Sequence, residues 1–295
     1  MFAAKHPGRE TSCKLCTFCA NDSMRLETYG GLSALVTGAS SGIGRLLALR
    51  LAQEGARVAL VARREAELES VAAEIRARSG QALVLPCDVA DSSQVAASAH
   101  RALEHFGAID ILVNNAGYGG QRTLLDWDIE DVERIMRVNY FGAVYFTKAL
   151  LPRMVERKVG WLVFISSVTG RIASPEKTAY AATKFAITGF AEALSLEVED
   201  AGVHLLTVYP GVIRTPFHNA QMLKDMPAKT RRSMVEPEGL VDAIFSALAK
   251  GKRELTYPGG MAAGYVVRAL APGFLRRQVM RVTRKASDES QSGGI

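Results

Sequence analysis

The sequence predicts an α/β protein built on a single doubly wound parallel sheet of about seven strands, with helices on both faces. Three observations carry this expectation. Short aliphatic runs alternate with longer helix-patterned segments, the mark of strand–helix–strand units. The runs are apolar almost throughout instead of alternating with polar residues, as strands covered on both faces are. The first run also passes directly into a glycine-rich turn that opens a helix, a junction suited to holding phosphate at the carboxyl edge of such a sheet.

In chain order the strands are LSALVT (32–37), RVALVA (57–62), ALVLP (82–86), IDILVNN (109–115), WLVFIS (161–166), VHLLTVYP (203–210) and a short ELTYP (254–258). Between them lie helix-patterned segments at 42–55, 65–80, 92–107, 129–160, 179–202 and about 237–250. From Pro210 to Met234 the chain turns polar and irregular, and a segment of that kind can cover a site.

Composition bounds the rest. With 295 residues, 48% hydrophobic and 22% charged, the chain is long enough for one globular domain with tails. The domain is expected over 30–258, preceded by an extension (1–29) that is disordered or lies ahead of a start at Met24. It is followed by a basic amphipathic helical segment and disordered tail (259–295). The net charge of +6 reflects 36 basic against 30 acidic residues, an excess too mild to imply nucleic acid. Much of it sits in Arg268, Arg276, Arg277, Arg281, Arg284 and Lys285, which suits a solvated helix face, a lid, a subunit contact or a peripheral contact with anionic lipid.

No apolar run of about 18 residues exists for a membrane span, and the polar N-terminus lacks the core of a secretory signal. The expected location is therefore cytoplasmic and reducing, with peripheral membrane contact as the variant. Cys13, Cys16 and Cys19 form a C-x2-C-x2-C run, but His6 and Cys87 are poorly placed as a fourth ligand, and no metal site is expected.

The chemistry-bearing motifs follow the strands. TGASSGIG runs from Thr37 to Gly44, with glycines at 38, 42 and 44. Such glycines let backbone N–H groups approach a pyrophosphate at a helix N-terminus. NNAG (114–117) follows the fourth strand, Asn139 lies in the next helix, YAATK (180–184) sets a lysine four residues after a tyrosine, and YPGVIRT (209–215) follows the sixth strand. This ordered set, spanning about Leu32 to Tyr257, resembles the short-chain dehydrogenase/reductase family, whose loop has the spacing TGxxxGxG.

The resemblance implies a Rossmann-type domain and an oxidoreductase that passes hydride between a nicotinamide cofactor and a small-molecule carbonyl or alcohol. It implies contact with the cofactor by Thr37, Gly38, Ser40, Ser41, Gly42, Ile43 and Gly44 in the loop and by Asn115, Ala116 and Gly117 after the fourth strand. Asp88 and Val89 would meet the adenine, and Pro210, Gly211, Ile213 and Thr215 the nicotinamide. Family members that use NAD usually carry an acidic residue where this chain has Ala62; here Arg63 and Arg64 follow instead, and a guanidinium suits a 2′-phosphate. NADP(H) is the expected cofactor, although Ser41 stands where many NADP users have a basic loop residue.

Tyr180 and Lys184, one turn apart on a helix, share a face with Cβ atoms about 5–6 Å apart. An ammonium at that range is expected to draw the phenol from about 10 toward neutrality, where general acid–base catalysis works best. By resemblance Tyr180 is the acid/base, Lys184 also holds the nicotinamide ribose, Ser167 binds the substrate oxygen and Asn139 orders a relay water. Ser167 is chosen over Ser166 because it lies thirteen residues before Tyr180, the usual family spacing.

His100, His105, His204 and His218 are expected to be structural. The ending of the chain is unlike that of 3-oxoacyl-ACP reductases and closer to the branch of 11β-hydroxysteroid dehydrogenases and 3-ketosphinganine reductases. A hydrophobic ketone or aldehyde is therefore expected, with Tyr118, Trp127, Tyr145 and Phe217 as candidate pocket residues. A 3-oxoacyl-ACP reductase-type activity and a non-catalytic NADP(H) sensor or scaffold are the alternatives. The family commonly forms homo-oligomers, dimers or tetramers, through the helices holding Asn139 and Tyr180.

Overall fold

The computed structural model describes residues 25–218, 222–223, 226 and 228–281, and the cysteine run and the final tail lie outside these. Seven strands form one sheet: β1 (Ser33–Thr37), β2 (Arg57–Ala62), β3 (Ala82–Pro86), β4 (Ile111–Asn114), β5 (Gly160–Ile165), β6 (Val203–Pro210) and β7 (Glu254–Tyr257). Their order is β3-β2-β1-β4-β5-β6-β7, and every adjacent pair is parallel. The strand order reverses between β1 and β4, and the crevice outside the carboxyl ends at that point is where such sheets bind ligands.

The crossovers are α1 (Gly42–Gln53), α2 (Glu65–Ala77), α3 (Ser92–Phe106), α4 (Ile129–Met136), α5 (Gly142–Arg157), α6 (Thr178–Glu197), the short α7 (Ala228–Arg232) and α8 (Pro237–Ala249). A further helix, α9 (Ala263–Leu270), follows β7. Alternate strand residues point to opposite faces, and two cores result. Ala34, Val36, Val58, Leu60 and Val113 pack under α1, α2 and α8. Leu35, Ala59, Val61, Leu112, Leu162 and Phe164 pack under α3, α5 and α6. Both faces are buried, which is why the strands read as uninterrupted apolar runs.

Two helical segments differ from the expectation. The stretch 129–160 is not one helix, because residues Arg137–Phe141 form a π turn between α4 and α5. The C-terminal basic segment is also broken: Ala271 leaves helical geometry (φ −140°, ψ 61°) before helical residues 272–281. Pro272 lacks an N–H and its ring disfavours a helical conformation in the residue before it.

Candidate active site

Thr37 ends β1 and ties it to the turn after β4. Its Oγ1 donates to the Val113 carbonyl at 3.2 Å and accepts from the N–H groups of Asn115 (2.9 Å) and Ala116 (3.0 Å). Asn115 Nδ2 donates back to the Thr37 carbonyl at 2.9 Å. The two loops therefore close on each other, and only glycine fits where they meet. Gly38 has φ +67°, and a Cβ there would lie 2.8 Å from Asn115 Nδ2; a Cβ at Gly44 would collide with the Gly38 carbonyl and the same amide. Thr37 and Gly44 build the loop from behind, whereas Gly38, Ser40, Ser41, Gly42 and Ile43 face the cleft.

Ser41 is the N-cap of α1 and makes no side-chain cap. The first-turn N–H groups of α1 thus point toward the cleft without a side-chain partner at the cap, which fits a pyrophosphate. A dinucleotide suits this cradle, and the cleft of about 600 Å³ runs on from it to Tyr180 and Lys184.

At the adenosine end Arg63 and Arg64 leave β2 side by side but differ in their ties. Arg64 Nη2 donates to Ser40 Oγ at 3.0 Å and pairs with Glu67 at 3.3 Å. Arg63 lines the cleft, exposed and without a hydrogen bond or ion pair among the described residues. Asp88 and Val89 line the same end. Asp88 Oδ2 is met at 2.5 Å by Arg134, reaching over from α4, and Oδ1 accepts from the Ala90 N–H at 3.1 Å. Burial opposes the charge on this carboxyl, yet Arg134 and the Ala90 N–H hold it below its ordinary value. Arg134 carried no signal in the sequence, since the contact is long-range and made by one of many exposed arginines.

At the other end Tyr180 and Lys184 project from α6. Ser167, at the end of β5, accepts from the Thr169 N–H at 3.1 Å, and its side chain lines the cleft beside Tyr180, close enough to pull on the phenol. Lys184 Nζ donates to the Ile165 carbonyl at 2.8 Å. Ser166 is committed elsewhere, with its Oγ donating to the Lys184 carbonyl and lying 3.1 Å from Thr188 Oγ1. Asn115, Ala116, Gly117, Pro210, Gly211, Ile213 and Thr215 line the cleft between the two ends.

The expected lowering of the Tyr180 phenol does not hold. Burial pushes it up to about 12, against the smaller pull of Ser167, and burial pushes Lys184 down to about 8. Lys184 Nζ stands 5.7 Å from the Tyr180 ring centre and is turned to the Ile165 carbonyl. In a low-dielectric site each group prefers its neutral form. Tyr180 therefore keeps its proton at pH 7.

Asn139 sits in the π turn, 2% exposed. Its Oδ1 accepts from the Tyr118 N–H at 2.9 Å, and its Nδ2 donates to the Tyr118 carbonyl (2.9 Å) and to Thr183 Oγ1 (3.1 Å). Thr183 Oγ1 in turn donates to the Tyr180 carbonyl at 2.8 Å. The side chain is a brace between the wall of the cleft and α6. A Cβ on Gly117 would lie 3.1 Å from Asn139 Oδ1 and 3.7 Å from Lys184 Nζ, so these three positions converge.

The other aromatic candidates divide. Tyr118 and Phe217 line the cleft, with Phe217 5.9 Å from the Tyr180 ring. Trp127 instead packs with Ile135 and Ala179 under the Arg122 guanidinium, and Tyr145 stacks on Phe141 outside the cleft. His218 lines the cleft beside Phe217, as does Lys177, the N-cap of α6, which carried no signal in the sequence. His204 lies against Trp161 (ring centres 6.0 Å apart), and His100 pairs with Glu104 on the exposed face of α3. Among the described residues no group of His, Cys, Asp and Glu is placed to hold a metal.

Known proteins resemble this chain in sequence and fold. The family described as short chain dehydrogenase matches residues 33–225. Dehydrogenase/reductase SDR family member 7B of Mus musculus is 34% identical over 268 residues, covering 87% of this chain and 83% of the mouse protein. A fatty acyl-CoA reductase of Acinetobacter baylyi is 37% identical over 250 residues, covering 83% of this chain and 82% of that enzyme. Among solved structures, a short chain dehydrogenase/reductase from Burkholderia phymatum in complex with NAD superposes with a TM-score of 0.76 at 24% identity, covering 83% of this chain and 95% of that one.

Proposed function

The chain belongs to the short-chain dehydrogenase/reductase family of oxidoreductases, and from that premise we propose that it is an NADPH-dependent reductase of a ketone or aldehyde on a hydrophobic, lipid-like molecule. The observation that carries this reading is the Ser167–Tyr180 hydroxyl pair facing the cleft, with Lys184 one turn away beneath it. The Gly38–Gly44 cradle would hold the NADPH pyrophosphate, and the cofactor when bound would supply the hydride. Ser167 hydrogen-bonds the substrate oxygen, and Tyr180 gives that oxygen its proton as the carbonyl becomes an alcohol. Lys184 holds the nicotinamide ribose and steadies the phenol, while Asn139 keeps α6 and the Tyr118 wall in register.

The preference for the phosphorylated cofactor is supported by Arg63, which lines the cleft without a hydrogen bond or ion pair among the described residues, next to Ala62 where NAD users carry an acid. The lipid-like substrate is supported by the apolar rim of Tyr118, Pro216 and Phe217 and by the name of the Acinetobacter relative. The same reading extends to a homo-oligomer paired through α5 and α6 and to peripheral contact with anionic membranes through the basic C-terminal helices.

A panel of long-chain ketones and aldehydes, run with NADPH and with NADH, tests the proposal. NADPH oxidation dependent on an apolar carbonyl, faster than with NADH, supports it. Tight NADPH binding with no turnover across the panel would favour a non-catalytic sensor.

A further inference from the structure

Two basic residues that line the cleft have no part in the proposed reduction: Arg64, tied to Ser40 and Glu67, and Lys177. Lys177 is the N-cap of α6, in non-helical geometry (φ −124°, ψ 24°), and lines the same cleft as Tyr180 three residues on. Its ammonium makes no hydrogen bond or ion pair among the described residues. The adjacent acid, Glu176, is turned to Gln121, whose Nε2 it meets at 3.1 Å.

Across from it stands His218, next to Phe217, which approaches the Tyr180 ring. Its Nδ1 is buried without a partner, and burial together with the Lys177 charge holds the imidazole below its ordinary value. His218 is therefore neutral at pH 7 and does not compete with Lys177 for an anion. Burial also lowers Lys177 itself, as expected of a cation partly taken out of water with no counter-ion in contact. A half-buried ammonium facing a ligand cleft is costly to leave unmatched. The missing partner belongs to whatever occupies the cleft.

We propose that Lys177 recognises an anionic group, carboxylate or phosphate, that the substrate carries within a few bonds of the carbonyl protonated by Tyr180. This rests on the reductase reading above and narrows it. The substrate is then amphiphilic, with an apolar chain at the Tyr118–Phe217 rim and a charged head beside the reacting carbon.

The test uses the full chain and three probes: a β-oxo fatty acid, its neutral methyl ester and a long-chain phosphooxy ketone. Each is measured with NADPH for turnover and, with the chain saturated in NADP, for equilibrium binding by calorimetry. Wild type is expected to favour at least one anion over the ester by about 10- to 100-fold in kcat/KM, the scale of one charge-assisted hydrogen bond. Lys177→Met should erase that ratio mainly through KM, and Lys177→Arg should restore part of it. Which anion wins separates carboxylate from phosphate.

Equal kcat/KM for anions and ester, or an unchanged ratio in Lys177→Met, overturns the assignment while leaving the reductase reading intact. If no probe turns over, binding decides: an anion preference lost in Lys177→Met supports the assignment while the reductase reading fails, and no preference overturns the assignment as well.

Discussion

At the residue scale the decisive quantities are charges held out of water. Lys184 is 4% exposed, with a single hydrogen bond to the Ile165 carbonyl, and burial lowers it from 10.5 to about 8. Its charged form thus costs the fold about 3 kcal/mol at neutral pH. Lys184→Met is expected to abolish most turnover and yet raise Tm at pH 7. The sign follows from linkage: wild type carries the full penalty below pH 8 and sheds it as pH rises toward 10.5, so the gain in Tm should shrink over that interval. A gain that stays constant from pH 7 to pH 10 would contradict the assignment of the cost to the ammonium. Arg63 offers a second check. Arg63→Ala should raise KM for NADPH by about 10- to 100-fold, the scale of a charge-assisted contact, and leave KM for NADH nearly unchanged. Equal effects on both cofactors would remove Arg63 from the 2′-phosphate.

At the element scale the strands and the glycine turn were legible because their causes are local. Strands buried on both faces are apolar throughout, and Gly38 and Gly44 occupy positions where a Cβ would strike Asn115 or the facing backbone. The break between α4 and α5 was not legible. RVNYF has no proline or glycine inside it, and the π turn is held by long-range hydrogen bonds from Asn139 to Tyr118 and Thr183. π turns of this kind recur at functional sites because they re-aim a side chain. Asn139→Ala would leave the Tyr118 backbone groups and Thr183 without these partners. The expected loss is about 2 kcal/mol in urea unfolding, together with a fall in kcat as α6 loses its brace. Unchanged stability would mean that the turn is set by packing alone. The two adjacent serines show the same division: spacing by resemblance picked Ser167, while the engagement of Ser166 with Lys184 and Thr188 became visible only in three dimensions.

At the scale of the whole molecule, the sheet sets the cradle and Tyr180 at one carboxyl edge, and the C-terminal helices add a surface. No helix among the described residues is long and apolar enough to cross a membrane. The sequence grouped Arg268 with the other basic residues, but its guanidinium donates to the Arg171 carbonyl and lies 5.0 Å from the Phe185 ring centre, so it pins α9 to the domain. Arg276, Arg277 and Arg281 remain exposed, near Leu270 (81% exposed) and Phe274 (50%). Replacing these three arginines by glutamine is expected to weaken binding to phosphatidylserine vesicles about 100-fold, at about 1 kcal/mol per basic residue near an anionic surface, with little effect on neutral vesicles. Equal binding by wild type and the triple variant would remove the membrane contact.

The central claim is that this cleft protonates a carbonyl through Tyr180, and Tyr180→Phe tests it most directly when turnover and NADPH affinity are measured on the same preparation. The account predicts a fall in kcat of about 10²- to 10⁴-fold, the share of one general acid, with the NADPH dissociation constant within a factor of a few of wild type. Turnover that survives the loss of the hydroxyl would contradict it.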